Sequence, residues 1–230
     1  MVASGGGPNA SEVNGFVFKA DIKKYFQSVD HGVLMGILAK RIKDKDVLWL
    51  IRKILDNHDA GTPGRGMPLG NWTSQFFANV YLNELDQYVK HNLRIKCYIR
   101  YVDDFVILHR SKDVLRGYKG EIERFLKGLK LDLHPQKCKI IPLSKGVDFL
   151  GFRIFYHHKL LRRKNIWKFK RKIGKEMISY GQGLSSAWQV LDSFNGWIAY
   201  AMHANTFQLR ARMRSELQRR LLTKSHQTFK

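Results

Sequence analysis

Three aspartates are the residues of this chain whose type and placement are best suited to chemistry. Asp103 and Asp104 are adjacent in Tyr101-Val102-Asp103-Asp104, between two alternating apolar runs, and Asp21 closes another apolar run far upstream. Crowded carboxylates repel one another unless a cation compensates them, so the set points to Mg²⁺. Each signal has a structural competitor: Asp is common in tight turns, and Asp21 alone could cap a strand end. The charge of the chain weighs between the two readings. With 41 Lys and Arg against 19 Asp and Glu, the net charge is +22, and the ligand that suits a metal in so basic a protein is a nucleic-acid or nucleotide phosphate.

The elements that must bring these acids together follow from hydrophobic periodicity. Residues 1–15, small and Gly-rich, read as a flexible leader. A strand covers about 15–21 through Phe16, Val17 and Phe18. Helical spacing then runs over about 31–57, with Leu34, Ile37, Leu38, Ile42, Leu48, Ile51 and Leu55 facing inward. Glycines and prolines make 61–70 a loop. A helix starting at Thr73 or Ser74 buries Phe76, Phe77, Val80, Tyr81, Leu85 and Val89. The hairpin follows, with Ile95, Cys97, Ile99 and Tyr101 alternating with Lys96, Tyr98 and Arg100, and residues 105–108 returning. Ser111 caps a helix carrying Leu115, Tyr118, Ile122, Phe125 and Leu129 on one face, and strands follow near 137–141 and 147–156. Strand, helices, strand–turn–strand, helix and strand in this order give an α+β layer fold, an antiparallel sheet backed by helices.

The charge surplus concentrates at the end. Residues 156–230 hold sixteen Lys or Arg and only three acids, Glu176, Asp192 and Glu216. Trp167, Phe169, Trp188, Phe194, Trp197, Tyr200 and Phe207 supply a core, so 157–230 reads as a folded helical module. Its basic face, headed by Arg162, Arg163, Lys164, Lys168 and Arg171, would track a phosphate backbone. No apolar run approaches the roughly 20 residues that span a bilayer, and no signal peptide follows Met1, which argues against membrane attachment. Cys97 and Cys138, the only cysteines, form neither a zinc spacing nor a disulfide framework, which fits a reducing cytoplasmic setting.

With their flanks the acids become specific. Phe18-Lys19-Ala20-Asp21-Ile22-Lys23-Lys24-Tyr25-Phe26 resembles the first catalytic motif of reverse transcriptases of the group II intron lineage, and Tyr-Val-Asp-Asp at 101–104 resembles the second. Between them, residues 66–86 resemble the template- and nucleotide-positioning motif. There Leu69 and Gln75 stand where most relatives carry Gln and Pro, a form similar to the reverse transcriptases of bacterial and phage diversity-generating retroelements. The resemblance extends from about residue 15 to 209. It implies a right-hand polymerase palm over 16–156, with remnant fingers elements, followed by a basic helical thumb over 157–230.

The same resemblance implies roles for individual residues. Asp21, Asp103, Asp104 and the carbonyl of Ile22 would hold two Mg²⁺ ions, with Mn²⁺ as an alternative. The backbone of Lys24 and Tyr25 would hold phosphates, and Phe26 would crowd the sugar 2′ position and so favour dNTPs. Leu69, Gly70 and Gln75 belong to the nucleotide-positioning motif, Lys137 to protonation of departing pyrophosphate, and Phe149, Leu150 and Gly151 to the primer grip. Arg210 joins the phosphate-binding residues. The implied partners are a template RNA, a primer or cDNA strand, dNTPs and a small basic accessory protein, in a bacterial or phage-encoded enzyme. The basic fingers that grip the triphosphate have no counterpart before Phe16, which keeps two alternatives open. One is a truncated, non-catalytic nucleic-acid-binding relative; the other is a group II intron or host-defence type of enzyme.

Overall fold

The computed structural model describes residues 14–57 and 62–225. The leader expected at 1–15 therefore lies outside the described residues up to position 13, as does Gly61 at the head of the expected loop. The chain divides into two compact units, Asn14–Leu143 and the residues from Ser144 onward.

The first unit follows the expected order. Its elements are β1 (Phe16–Asp21), α1 (Tyr25–Ser28), α2 (His31–Ala39), α3 (Lys45–Asp56), α4 (Trp72–Gln87), β2 (Tyr98–Tyr101), β3 (Asp104–His109), α5 (Lys112–Gly128) and β4 (Lys139–Pro142). A π-helical turn, Tyr88–Asn92, extends α4. The strands form one antiparallel sheet in the order β2-β3-β1-β4, so the chain's first strand becomes a central one. Period-two alternation sorts β1 into two faces, although Val17 on the second is buried too. Phe18 and Ala20 join Phe105 and Ile107 of β3 in a core with Tyr81 and Leu85 of α4 and Leu115, Ile122 and Leu126 of α5. Each such fully buried large side chain contributes roughly 1.5–3 kcal/mol, which fixes the register, since a one-residue slip would reverse every face. The opposite face of β1 carries Val17, Lys19 and Asp21.

Local capping explains where the helices start. Asp30 accepts from the Val33 amide at 3.0 Å and opens α2, Asp44 accepts from Asp46 and Val47 and opens α3, and Ser111 opens α5 as expected. The Asp44 cap is why the helical periodicity over 31–57 resolves into two helices and not one. α4 begins at Trp72, one or two residues earlier than expected, after Asn71, and Ser74 is buried inside its first turn. Of its expected core residues, Phe76 is instead 61% exposed, because the inward stripe runs through Ser74, Phe77, Ala78, Tyr81, Leu82 and Leu85.

In β2 the expected alternation holds, and its apolar side faces outward. Ile99 and Tyr101 are exposed, while Tyr98 and Arg100 turn toward α4. The physical reason is Asp86, whose carboxylate on α4 takes the Tyr98 hydroxyl at 2.7 Å and the Arg100 guanidinium at 2.8 and 2.5 Å. A satisfied, partly buried ion pair thus lies on the side of β2 that faces α4, and Ile99 lies on the other.

The second unit contains a three-stranded antiparallel sheet, β5 (Val147–Phe149), β6 (Phe152–Ile154) and β7 (Lys159–Leu161), then α6 (Arg163–Gly181), α7 (Ala187–Ala201) and α8 (Phe207–Ser225). The expected single strand over 147–156 is thus a tight hairpin, and β7 is an additional strand. Leu161 and Phe152 pack with Phe169, Val190, Phe194, Trp197, Met213 and Leu217, and Phe169 stacks on Trp197 with ring centroids 4.5 Å apart, whereas Trp167, Trp188 and Phe207, also expected in this core, are exposed. Shared packing of strand and helix residues explains why the boundary falls after Leu143, whereas the charge pattern of the sequence puts it after residue 156. A capping box between Ser186 and Gln189 starts α7. Among the described residues no helix is long and apolar enough to cross a membrane.

Candidate active site

The first unit brings together the three acids that the sequence singles out. In the β1–β3 ladder Asp21 stands directly opposite Asp104, so the two carboxylates share one face of the sheet. Asp103 occupies the two-residue connection between β2 and β3, and its carbonyl accepts from the Ile22 amide at 3.3 Å, tying the turn to the end of β1.

The carboxylates are compensated by lysines. Lys137 Nζ lies 3.0 Å from both oxygens of Asp21, and Lys19 Nζ lies 3.3 Å from Asp104 Oδ2. The hydrogen bond to Asp21 raises the Lys137 pKa, with the other two acids adding to it. Asp103 is pushed above the ordinary carboxylate range by burial, and the charges of Asp21 and Asp104 push the same way. Asp104 Oδ1 is buried with no hydrogen-bond partner. An all-oxygen donor set with one orphaned buried oxygen suits a hard cation such as Mg²⁺. Yet among the described residues no three His, Cys, Asp or Glu side chains converge as a ready-made cage. The three acids expected to hold metal are thus brought close together, with Asp21 and Asp104 each paired to a lysine, but among the described residues they form no closed cage.

Lys19 was missed as a partner of the acids, although it sits two residues before Asp21 and period two alone places it on the same face. Arg100 and Asp86 carried no comparable signal, since their pairing spans separate elements.

The remaining motif residues surround α1. Lys24 adopts a left-handed conformation, φ 46°, and starts α1. Tyr25 is buried and donates to the Ala78 carbonyl at 2.6 Å; burial pushes its pKa up. Phe26 is half-buried against the core, and its carbonyl accepts from the Met67 amide at 2.7 Å. The Gly66 amide donates to Val29 and the His31 ring binds the Gly66 carbonyl at 2.7 Å. The stretch leading into Leu69 and Gly70 is thus laced to the segment carrying Phe26. Leu69, Gly70 and Gln75 themselves are exposed around the start of α4.

In the second unit, Phe149 is buried, and Leu150 and Gly151, both at positive φ, form the β5–β6 turn. The Gly151 carbonyl accepts from Asn165 Nδ2 at 3.2 Å and from the Tyr200 hydroxyl at 3.3 Å. Arg163, Lys164, Lys168 and Arg171 are exposed along α6, Arg162 pairs with Asp148 at 3.4 Å, and Arg210 donates to Thr206 Oγ1 at 3.2 Å.

Comparison with known proteins agrees with this geometry. A profile of the family described as "Reverse transcriptase (RNA-dependent DNA polymerase)" matches residues 9–154. The chain belongs to the reverse transcriptase family. Protein YkfC of Escherichia coli is 29% identical over 188 residues, covering 65% of this chain and 48% of that protein. The group II intron-encoded protein LtrA of Lactococcus lactis is 25% identical over 229 residues, covering 70% of this chain and 37% of that protein. The chain therefore spans less than half the length of these two relatives. Among solved structures, telomerase from Candida albicans, in complex with a TWJ fragment of telomeric RNA, superposes with a TM-score of 0.55 at 13% identity. That match covers 93% of this chain and 40% of that one. A likeness at that identity speaks for the fold alone, and it supports a polymerase palm with an accompanying helical region.

Proposed function

We propose that this chain performs RNA-directed DNA synthesis, extending a primer 3′-hydroxyl with dNTPs on an RNA template by two-metal-ion nucleotidyl transfer. The observation that carries the proposal is the cross-strand pairing of Asp21 with Asp104, with Asp103 in the adjoining turn. Asp21, Asp103, Asp104 and the Ile22 carbonyl would hold the ions. When bound, the ions supply activation of the primer hydroxyl and neutralisation of the triphosphate. In the free protein Lys19 pairs with Asp104 and Lys137 with Asp21. Lys137 then serves as proton donor to the departing pyrophosphate. The amides of Lys24 and Tyr25 bind phosphate oxygens, and the Phe26 ring excludes a 2′-hydroxyl. Leu69, Gly70 and Gln75 position the nucleotide, while the turn at Phe149–Gly151 holds the primer end. Arg162, Arg163, Lys164, Lys168, Arg171 and Arg210 bind phosphates. The Leu69 and Gln75 forms of the positioning motif favour a retroelement that diversifies its target, with a small basic accessory protein as partner.

Primer extension on a defined RNA template with Mg²⁺, comparing dNTPs with NTPs, tests the reading. Incorporation of dNTPs that disappears in Asp103→Asn/Asp104→Asn is the expected result. Equal incorporation by that double variant would refute the catalytic assignment, and a preference for NTPs would refute the role of Phe26.

A further inference from the structure

Val102, between Tyr101 and Asp103, sits at φ 54°, the left-handed region that a β-branched side chain adopts only under constraint. This residue immediately precedes Asp103, so its backbone conformation decides where both adjacent carboxylates point. The constraint is visible. Arg100 Nη1 donates to the Val102 carbonyl at 2.8 Å, and the same nitrogen lies 3.3 Å from Asn79 Oδ1. The other edge of the guanidinium is held by Asp86, with Nε on Oδ1 at 2.8 Å and Nη2 on Oδ2 at 2.5 Å. The Arg100 side chain is only 10% exposed. A planar fork anchored on α4 therefore reaches across the end of the hairpin and grips its strained residue.

We infer that Arg100, anchored by Asp86, is a positioning residue that holds the Val102 turn in its left-handed conformation and thereby sets Asp103 and Asp104 in place. Arginine is required because three jobs fall on one rigid group: two parallel bonds to a carboxylate and a third donor directed at a carbonyl. Lysine can meet the charge of Asp86 but cannot span both partners. The consequence for metal binding rests on the two-metal reading above; the grip on the turn does not.

Residue-resolved hydrogen exchange on the full chain tests the clamp, with Mn²⁺ affinity measured by calorimetry alongside. Arg100→Lys is expected to speed exchange of the amides of residues 102–104 about tenfold, the effect of removing one charged hydrogen bond, while amides of α5 stay unchanged. Mn²⁺ affinity falls by a similar factor. Adding Val102→Gly recovers at least half of that drop on a logarithmic scale, because glycine holds this φ without a clamp. Exchange at 102–104 that is unchanged, or that rises evenly over the sheet, overturns the inference. Should Arg100→Lys fail to fold, Asp86→Asn, which keeps the guanidinium but weakens its anchor, decides by the same exchange pattern. If the wild-type chain binds no Mn²⁺, the two-metal reading fails, and the exchange pattern still decides the clamp.

Discussion

Asp30 shows how a single residue outside the catalytic set shapes the ground around it. Its side chain accepts from the Val33 amide as the cap of α2, and also takes Lys130 Nζ at 2.7 Å and Arg65 at 3.8 Å, although the residue is only 8% exposed. Burial alone would raise its pKa, but the bonds from Lys130 and Val33 and the charges of Lys130 and Arg65 outweigh it and leave the value lowered. A carboxyl with a depressed folded pKa stabilises the fold at pH above its unfolded value, and that contribution disappears as pH falls through the folded value. Asn caps a helix as well as Asp does, so Asp30→Asn removes the charge pairing and spares the cap. The variant is expected to lose about 1.5–3 kcal/mol at pH 7. Its deficit relative to wild type should shrink as the pH is taken below the ordinary carboxylate range. Chemical denaturation at a series of pH values checks both points; a constant deficit across the series would contradict the assignment.

A second residue-scale prediction concerns Tyr25. Its buried hydroxyl donates to the Ala78 carbonyl at 2.6 Å and so joins the short helix α1 to α4. Tyr25→Phe leaves that carbonyl without this donor and is expected to cost about 1–3 kcal/mol. Thermal melts read the loss.

At the scale of elements, the turn joining β5 to β6 is held more firmly than its length suggests. Gly151 sits at φ 86°, and a Cβ there would stand 2.4 Å from the Tyr200 hydroxyl and 3.0 Å from Asn165 Nδ2. Gly151→Ala therefore combines a backbone penalty with a steric one, and roughly 2–4 kcal/mol of destabilisation is expected. Tyr200→Phe removes the nearest atom, so the double variant should lose less than the sum of the single ones. Melts of the four proteins form the double-mutant cycle that measures this coupling.

Element identity was largely legible in the sequence, because periodicity reports it directly: β1, α4, the hairpin and α5 lie where the pattern puts them. The orientation of β2 was not. Alternation shows that Ile99 and Tyr101 share one side and Tyr98 and Arg100 the other, but it cannot tell which side faces inward in an edge strand. Asp86, on another element, settles that by burying Arg100. The site divides in the same way. Asp21, Asp103 and Asp104 are recognisable from local motifs, whereas the Lys137 and Lys19 pairings and the Val102 clamp arise from register and from pairings distant in sequence. Phe76 marks a third limit, since a large apolar residue one step off a helix's inward stripe looks like core in sequence and lies in solvent in the fold.

Over the whole molecule, two hydrophobic cores support two different surfaces. The first unit offers three partly buried carboxylates at one end of its sheet, while the second carries an exposed row of cations along α6 with few acids to answer them. Cations that neutralise phosphates displace condensed counterions, so binding to an RNA–DNA duplex should weaken steeply with salt. Each phosphate neutralised adds about 0.7–0.9 to the steepness of log affinity against log salt. Replacing Arg163, Lys164, Lys168 and Arg171 together by Gln should flatten that slope by up to about 3.6. All four side chains are exposed, so the fold should survive the change. Asp103→Asn/Asp104→Asn should leave the slope as it is, since it removes no cation from the binding face. Fluorescence anisotropy over a salt series separates the two variants. An unchanged slope in the α6 variant would move the nucleic-acid surface off that helix while leaving the assignment of the aspartates intact.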